Sequence, residues 1–556
     1  MLARVRSGAL IGIDAVVVEC EVDMTLGLPY FNVVGLADGA TRESKVRVTS
    51  ALKNSGYDLP QKRVTVNLAP ADLRKEGATF ELPIALGVLS AARMLSEVPL
   101  RDLLFGGELS LDGWIKPIRG VLPLALAARD HGMRGVMVPE ANAPEAALVD
   151  RIDVYPVRHL RDAVRHLTGE HPITPWDRAR PSPAPRPGMA PPDMCDVLGQ
   201  EDLKDALEIA AAGGHNALMC GPPGSGKTML ARRVPSIMPT LTMQEALEVT
   251  KVASVLGQLP EDGSLIRNRP FRSPHHTISD AGLVGGGPAL RPGELSMAHH
   301  GVLFLDELPE FRQNVLEVLR QPLEEGQIHL ARANHHVVYP CQVMLVAAMN
   351  PCPCGYFNVP PYTRCRCHPG KVQDYFTRVS GPLLDRIDMT LQTDPVDPQR
   401  LRQLDVPGRG SEWYRARVEE ARARQRHRLA DEPGVHCNAQ MSPRQVREHC
   451  RLSTRADRNL QRAMELHGLS ARAHDRILRL ARTRADLEGR ERIEDDDLLL
   501  AINQRMLDRE SWLNGTARGT QHPVRELAAC SNLRRPERRG PSGPVRPAGG
   551  GWAGRV

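Results

Sequence analysis

Side chains that make stacking surfaces are scarce: aromatic residues are only 4% of the 556-residue chain. A nucleic-acid partner, if there is one, is therefore expected to be gripped by its phosphates rather than by bases stacked on Phe, Tyr and Trp. Long apolar runs are missing too. LPLALAA at 122–128 and VMLVAAM at 343–349 are core-sized and fall short of the 18 residues a membrane-spanning helix needs. Arg4 and Arg6 precede an apolar stretch, but Asp14, Glu19 and Glu21 interrupt it and no A-x-A site follows, which argues against a secretory signal. Eleven Cys outside a secretory context are expected to be reduced thiols of a cytoplasmic protein, not a disulfide framework. Lysine is rare, with nine in the chain. The net charge of +6 is a property of the end of the chain, because residues 509–556 hold nine Arg against three Glu and the rest is neutral. What remains, 41% hydrophobic and 25% charged, is the composition of a folded protein long enough for three or four domains.

Patterning divides the chain. Apolar runs such as VTVNLA (64–69) and GVMVP (135–139) alternate with helical periodicities at 82–94 and 121–131, which predicts a mixed α/β domain over 1–168. Residues 172–192 contain eight Pro, so 169–193 reads as a linker. Short apolar strands (ALMC at 217, VLFL at 302, VMLVAA at 343) end in polar or Gly-rich residues, the pattern of an α/β core over 194–398 with its site at the strand ends. Dense Arg, Ala, Leu and Glu at helical spacing predict a helical domain over 411–508, and the Gly-, Pro- and Arg-rich segment 510–556 reads as a disordered basic tail.

The chemistry is announced by GPPGSGKT, residues Gly221, Pro222, Pro223, Gly224, Ser225, Gly226, Lys227 and Thr228, placed between a strand and a helical run. This is the phosphate-loop pattern. Small residues let backbone N–H groups approach phosphates at a helix N-terminus, the Lys reaches the β and γ phosphates, and the Thr hydroxyl binds Mg²⁺. GVLFLDE (301–307) is a buried strand ending in two carboxylates, with Asp306 expected on the Mg²⁺ and Glu307 on the attacking water. A third strand ends at Asn350, a side chain able to align the same water. Arg386 stands between Asp385 and Asp388 in SGPLLDRID; a local ion pair is its alternative reading.

At these residues the chain resembles the AAA+ ATPases, in their magnesium-chelatase-like branch, and there the ComM/YifB family of bacterial competence proteins. The resemblance runs from residue 1 to about 508 and includes NLAPADLRKEG (67–77), FRSPHHTIS (271–279), RPGELSMAHHGVLFLDELPEF (291–311), AAMNPCPCGY (347–356) and LSARAHDRILRLART (469–483). It implies an α/β multi-domain fold: a Lon-protease-like (ribosomal S5-like) N-terminal domain, an AAA+ P-loop core and a helical lid. It also implies ATP and Mg²⁺ as cofactors, a hexameric ring, and a branch-migration helicase acting on single-stranded or branched DNA. Asn350 becomes sensor 1, Arg386 the arginine finger acting on a neighbour's ATP, and Arg472 the sensor 2 arginine. Residues 267–297 and 327–340 become pore-facing inserts. Their Arg267, Arg269, Arg272, Arg332, His335 and His336 are the DNA-contact candidates, while His275 and His276 fit a hydrogen-bonded hairpin equally well. Lon-type proteolysis uses a Ser nucleophile and a Lys base, but KEGATFE offers Thr79 and residues 117–128 contain no Lys, so the N-terminal domain is expected to be non-proteolytic.

Cys352 and Cys354, then Cys365 and Cys367, form C-x-C-x10-C-x-C beside His368. Four thiolates can close a tetrahedral structural zinc site, though the usual pairs are C-x2-C; the other reading is a loop of free thiols. Two further functions compete with the DNA motor: a motor subunit that drives metal insertion into a porphyrin through a partner, and a protein-remodelling or proteolytic ring.

Overall fold

Alternation of buried and exposed residues builds the first sheet. In the strand Leu2–Ile11, Ala3 and Val5 are buried while Arg4 and Arg6 are exposed, the two-residue period of a strand with one covered face. The chain turns at Gly12, whose φ of 66° suits glycine, into Asp14–Thr25, where Val18, Cys20, Val22 and Met24 join the same core. Seven strands result, in the order 30–34, 63–69, 14–25, 2–11, 103–105, 135–139, 153–157. The last four of these are mutually parallel. The helix Glu81–Ala91 is buried along its whole length. Its one acid is compensated, because Glu81 pairs with Arg47 at 2.6 Å and accepts from the Leu109 amide at 2.7 Å.

The computed structural model describes residues 2–505 apart from 36–38, 59, 61, 72, 74, 76, 178–191, 261, 288–289, 333–334, 360–363, 394, 396–407, 433 and 468. Most of the Pro-rich segment expected as a linker, and all of the segment expected as a basic tail, lie outside the described residues.

A second sheet is wholly parallel, with strands in the order Phe271–Arg272, Val302–Leu305, Met344–Met349, Ala217–Cys220, Met389–Gln392. Ala217–Cys220, Val302–Leu305 and Met344–Met349 are buried at every position, as expected of strands covered on both faces. Their C-terminal ends carry Gly221, Asp306 and Asn350, so one edge of the sheet collects the polar residues. Helices Ser411–Arg428, Pro443–His449, Thr454–His467, Ala471–Leu487 and Asp495–Arg505 follow. Their apolar faces share one core with this sheet through Tyr414, Ile477, Leu480 and Leu498. Asp486, fully buried, is held by Arg428 and by Arg482 at 3.1 Å, so its charge is paired.

The two sheets are bonded through the helix Met243–Leu256, which packs against Val121–Asp130. The Gly120 amide donates to Ser254 O at 3.1 Å, Lys251 pairs with Asp14, and the Ser254 hydroxyl donates to buried Glu145. Among the described residues no helix is long and apolar enough to cross a membrane.

Candidate active site

The phosphate loop leaves the strand Ala217–Cys220 and re-enters helix at Lys227, with Gly224 and Gly226 at φ 76° and 85°. Side chains rarely adopt these values, which explains glycine at both places. Lys227 Nζ donates to Gly221 O and Pro222 O, both at 2.8 Å, and lies 3.3 Å from Asn350 Oδ1. Burial lowers the pKa of this ammonium. A cation held by neutral oxygens inside the loop keeps a charge that suits a phosphate.

Thr228 Oγ1 donates to Asp306 Oδ2 at 2.7 Å, so the hydroxyl and carboxylate expected to share Mg²⁺ are in contact. Both are hard oxygen donors, the ligand type Mg²⁺ prefers. Glu307 follows in the left-handed conformation (φ 52°), its amide 3.0 Å from Asp306 Oδ1 and its carboxylate more than half exposed, 3.7 Å from His276 Nδ1. A non-glycine residue at positive φ beside a reactive centre is strain that surrounding structure must hold. His275 Nδ1 lies 2.9 Å from Thr277 Oγ1, and the two His rings lie 4.0 Å apart.

Two supports were not legible in the motif. Thr393, just beyond the strand Met389–Gln392, hydrogen-bonds Ser225 Oγ at 2.8 Å, and a side chain at Gly221 would collide with it. Tyr375 is buried with its hydroxyl at the Asn350 backbone amide, and burial pushes its pKa up. Neither has a spacing rule that announces it.

Arg386 sits elsewhere. Its guanidinium donates to Arg320 O at 2.9 Å and Pro382 O at 2.8 Å and pairs with Glu324 at 2.8 Å, rather than with the flanking Asp385 or Asp388. The helical region holds its loop in place: Arg476 donates to Ile387 O at 3.2 Å and lies 3.5 Å from Asp388, and Arg505 also donates to Ile387 O. Arg386 and exposed Arg472 line one cavity of about 590 Å³ together with Arg476 and Arg479. None of the eight phosphate-loop residues lines it, nor do Asp306, Glu307 or Asn350.

The other candidates divide. Arg269 is largely buried, donating to Pro239 O at 2.5 Å and His300 O at 2.6 Å, and Arg272 makes a two-pronged pair with Glu294 at 2.6 and 2.8 Å. Arg267 and His336 are exposed. Gln327–Arg332 and His335–Pro340 form an antiparallel hairpin with Arg332 opposite His335 at its tip. Tyr339 ties this hairpin to the other insert by donating to Leu290 O at 2.8 Å. The four cysteines converge: Cys352 Sγ lies 3.3 Å from Cys354 and 3.8 Å from Cys365, Cys354 lies 3.6 Å from Cys365, and all four sulfurs, Cys367 included, lie within 4.8 Å of one another. A second cluster was unforeseen despite the visible HH doublet: Glu248 meets His299 at 3.0 Å and His300 at 2.8 Å. His299 Nδ1 accepts from the Gln342 amide at 3.0 Å, so its other nitrogen carries the proton given to Glu248. That cluster is an internal hydrogen-bonded pairing.

Three family models cover most of the chain: subunit ChlI of Mg-chelatase over residues 20–142, magnesium chelatase subunit ChlI over 193–401, and the ChlI C-terminal region over 408–505. Competence protein ComM of Haemophilus influenzae is 40% identical over 509 residues, 91% of this chain and 98% of that protein. The uncharacterized protein YifB of Escherichia coli is likewise 40% identical, over 508 residues and the same shares. The magnesium-chelatase 38 kDa subunit of Rhodobacter capsulatus is 26% identical over 174 residues, 28% of this chain and 49% of that protein. Identity at this level along nearly the full length of both partners, with a phosphate loop in a parallel sheet, places the chain in the ComM/YifB-type family of magnesium-chelatase-like AAA+ ATPases.

Proposed function

We propose that this protein is a Mg²⁺-dependent ATPase working as a hexameric ring that moves DNA, promoting branch migration of recombination intermediates during natural transformation. The observation that carries the reading is the separation of its charged groups. Lys227, Thr228, Asp306, Glu307 and Asn350 gather at one edge of the sheet, whereas Arg386 and Arg472 open into a different cavity. An arginine that stabilises a transferring phosphoryl group must touch it. Both arginines are therefore assigned to the nucleotide of a neighbouring subunit, and a ring supplies each site with one set.

Within a site, Lys227 and the loop amides bind the phosphates. Mg²⁺, when held by Thr228 and Asp306, neutralises charge on the phosphate oxygens. Glu307 orients the attacking water from its exposed position, and Asn350, anchored at Lys227 and Tyr375, limits where that water sits. Residues 1–168, 194–398 and 411–508 act as N-terminal domain, AAA+ core and helical lid. The first is taken as Lon-like and non-proteolytic, binding DNA or bracing the ring.

Support for DNA comes from the competence relative and from the exposed Arg267 and His336. We assign Arg267 and His336, with Arg332 and His335 by their register at the hairpin tip, to the DNA-facing side and leave out Arg269 and Arg272, whose guanidiniums are engaged within the chain. The Arg386→Ala variant tests the ring: ATP binding stays, while turnover falls on the order of 10³-fold, the size of an arginine-finger loss. Undiminished turnover refutes the assignment.

A further inference from the structure

The four cysteines lie outside the machinery described above, and their geometry is specific. Four thiolates around one zinc ion at about 2.3 Å form a tetrahedron whose edges are about 3.8 Å. The recorded Sγ separations of 3.3, 3.6 and 3.8 Å, with all four sulfurs within 4.8 Å, match that figure. Polynuclear iron–sulfur clusters ligate their thiolates to different irons and spread the sulfurs farther apart. All four thiols are free of disulfides. His368 is not a fifth donor, because its Nδ1 accepts from the Gly370 amide and caps the helix Pro369–Thr377.

The neighbourhood gives the cluster a task. Cys352 stands two residues beyond Asn350, at the end of the strand Met344–Met349. Cys367 stands two residues before the helix Pro369–Thr377, which carries Tyr375 to the Asn350 amide. Between them Gly355, at φ 86° and bonded to Cys352 O at 2.9 Å, lies against the phosphate loop so tightly that a Cβ would fall 2.5 Å from Pro223 Cδ. One ion would join the strand end, the helix start and the loop that touches Pro223. We propose that Cys352, Cys354, Cys365 and Cys367 bind a structural zinc ion that holds Asn350 in register with the phosphate loop. Four protein ligands leave no open position, so the ion is structural and the cysteines are positioning residues.

Metal analysis of the full-length protein is expected to give one zinc per chain, and X-ray absorption to give four sulfur neighbours at about 2.3 Å. A folded wild-type protein without zinc, or with fewer than four sulfurs on it, overturns the site whether or not the protein hydrolyses ATP. The Cys365→Ser/Cys367→Ser variant should lose the zinc and lower kcat on the order of tenfold to a hundredfold, with the ATP Kd within about twofold, because misplaced positioning groups cost turnover rather than binding. Cys365→His, which retains a zinc ligand, should restore both the metal and kcat. Loss of zinc from a folded variant with unchanged kcat contradicts the positioning role.

Discussion

Glu307 is the residue where conformation and chemistry meet: a carboxylate at positive φ, exposed, beside an Asp bonded to the phosphate-loop Thr. Glu307→Gln keeps the shape and removes the capacity to take a proton. Turnover should fall by about 10² to 10⁴ while ATP stays bound, which single-turnover assays and filter retention of ATP read separately. A variant that hydrolyses normally would remove Glu307 from the mechanism. Arg386, proposed to serve a neighbour, makes a sharper prediction. Mixing inactive Arg386→Ala subunits with inactive Lys227→Ala subunits should restore partial turnover, since an intact site then receives an intact arginine across the interface. No restoration in verified mixed rings contradicts action in trans. The placement of the phosphate loop, of Asp306 and Glu307 and of Asn350 was legible in sequence because they sit at ends of buried strands, where a local pattern marks the position. Thr393 and Tyr375 were not, since each reaches the site through tertiary packing that no spacing encodes. Arg269 and Arg272 read as candidate DNA contacts because charge is visible in sequence, whereas a buried carbonyl partner or a facing Glu294 is not.

At the scale of elements, the helix Met243–Leu256 joins the two sheets and also carries Glu248 to the His299–His300 pair. Hydrogen bonds from the two His rings hold the Glu248 carboxyl well below its ordinary value of 4.5. A group with a depressed folded-state pKa stabilises the fold fully above its unfolded pKa and loses that contribution as pH falls through the folded value. Glu248→Gln should therefore lower Tm at neutral pH, and the difference from wild type should shrink as pH drops below about 4.5. A Tm difference that grows in acid, followed by circular dichroism across the pH range, contradicts the pairing. The N-terminal sheet was legible as strands from its alternation, and VTVNLA and GVMVP fall within Arg63–Ala69 and Gly135–Pro139. Its tie to the AAA+ sheet through the Gly120–Ser254 bond and the Lys251–Asp14 pair was not, because Ser254, Lys251 and Asp14 look like ordinary surface polar residues in sequence. On the proposed Lon-like reading, Thr79 replaces the Ser nucleophile and residues 117–128 contain no Lys, so ATP-dependent casein cleavage is not expected, and cleavage abolished by Thr79→Ala would overturn the non-proteolytic reading.

For the whole molecule, the account is of a ring in which hydrolysis at one edge of each sheet is completed by arginines from the next subunit and drives basic hairpins along a phosphate backbone. Phosphate-dominated binding must weaken as salt rises, and few aromatics leave no stacking to replace it. A chelatase-type motor or a protein-remodelling ring would share the ATPase site and differ in what stimulates it. The most direct measurement is ATP turnover without DNA and with single-stranded, duplex and four-way-junction DNA at two salt concentrations, alongside Lys227→Ala. The account predicts strong stimulation that is greatest with single-stranded or branched DNA, falls at higher salt and is absent in the variant. A competent basal ATPase that no DNA stimulates, and that instead responds to unfolded protein or a chelatase partner, would contradict it.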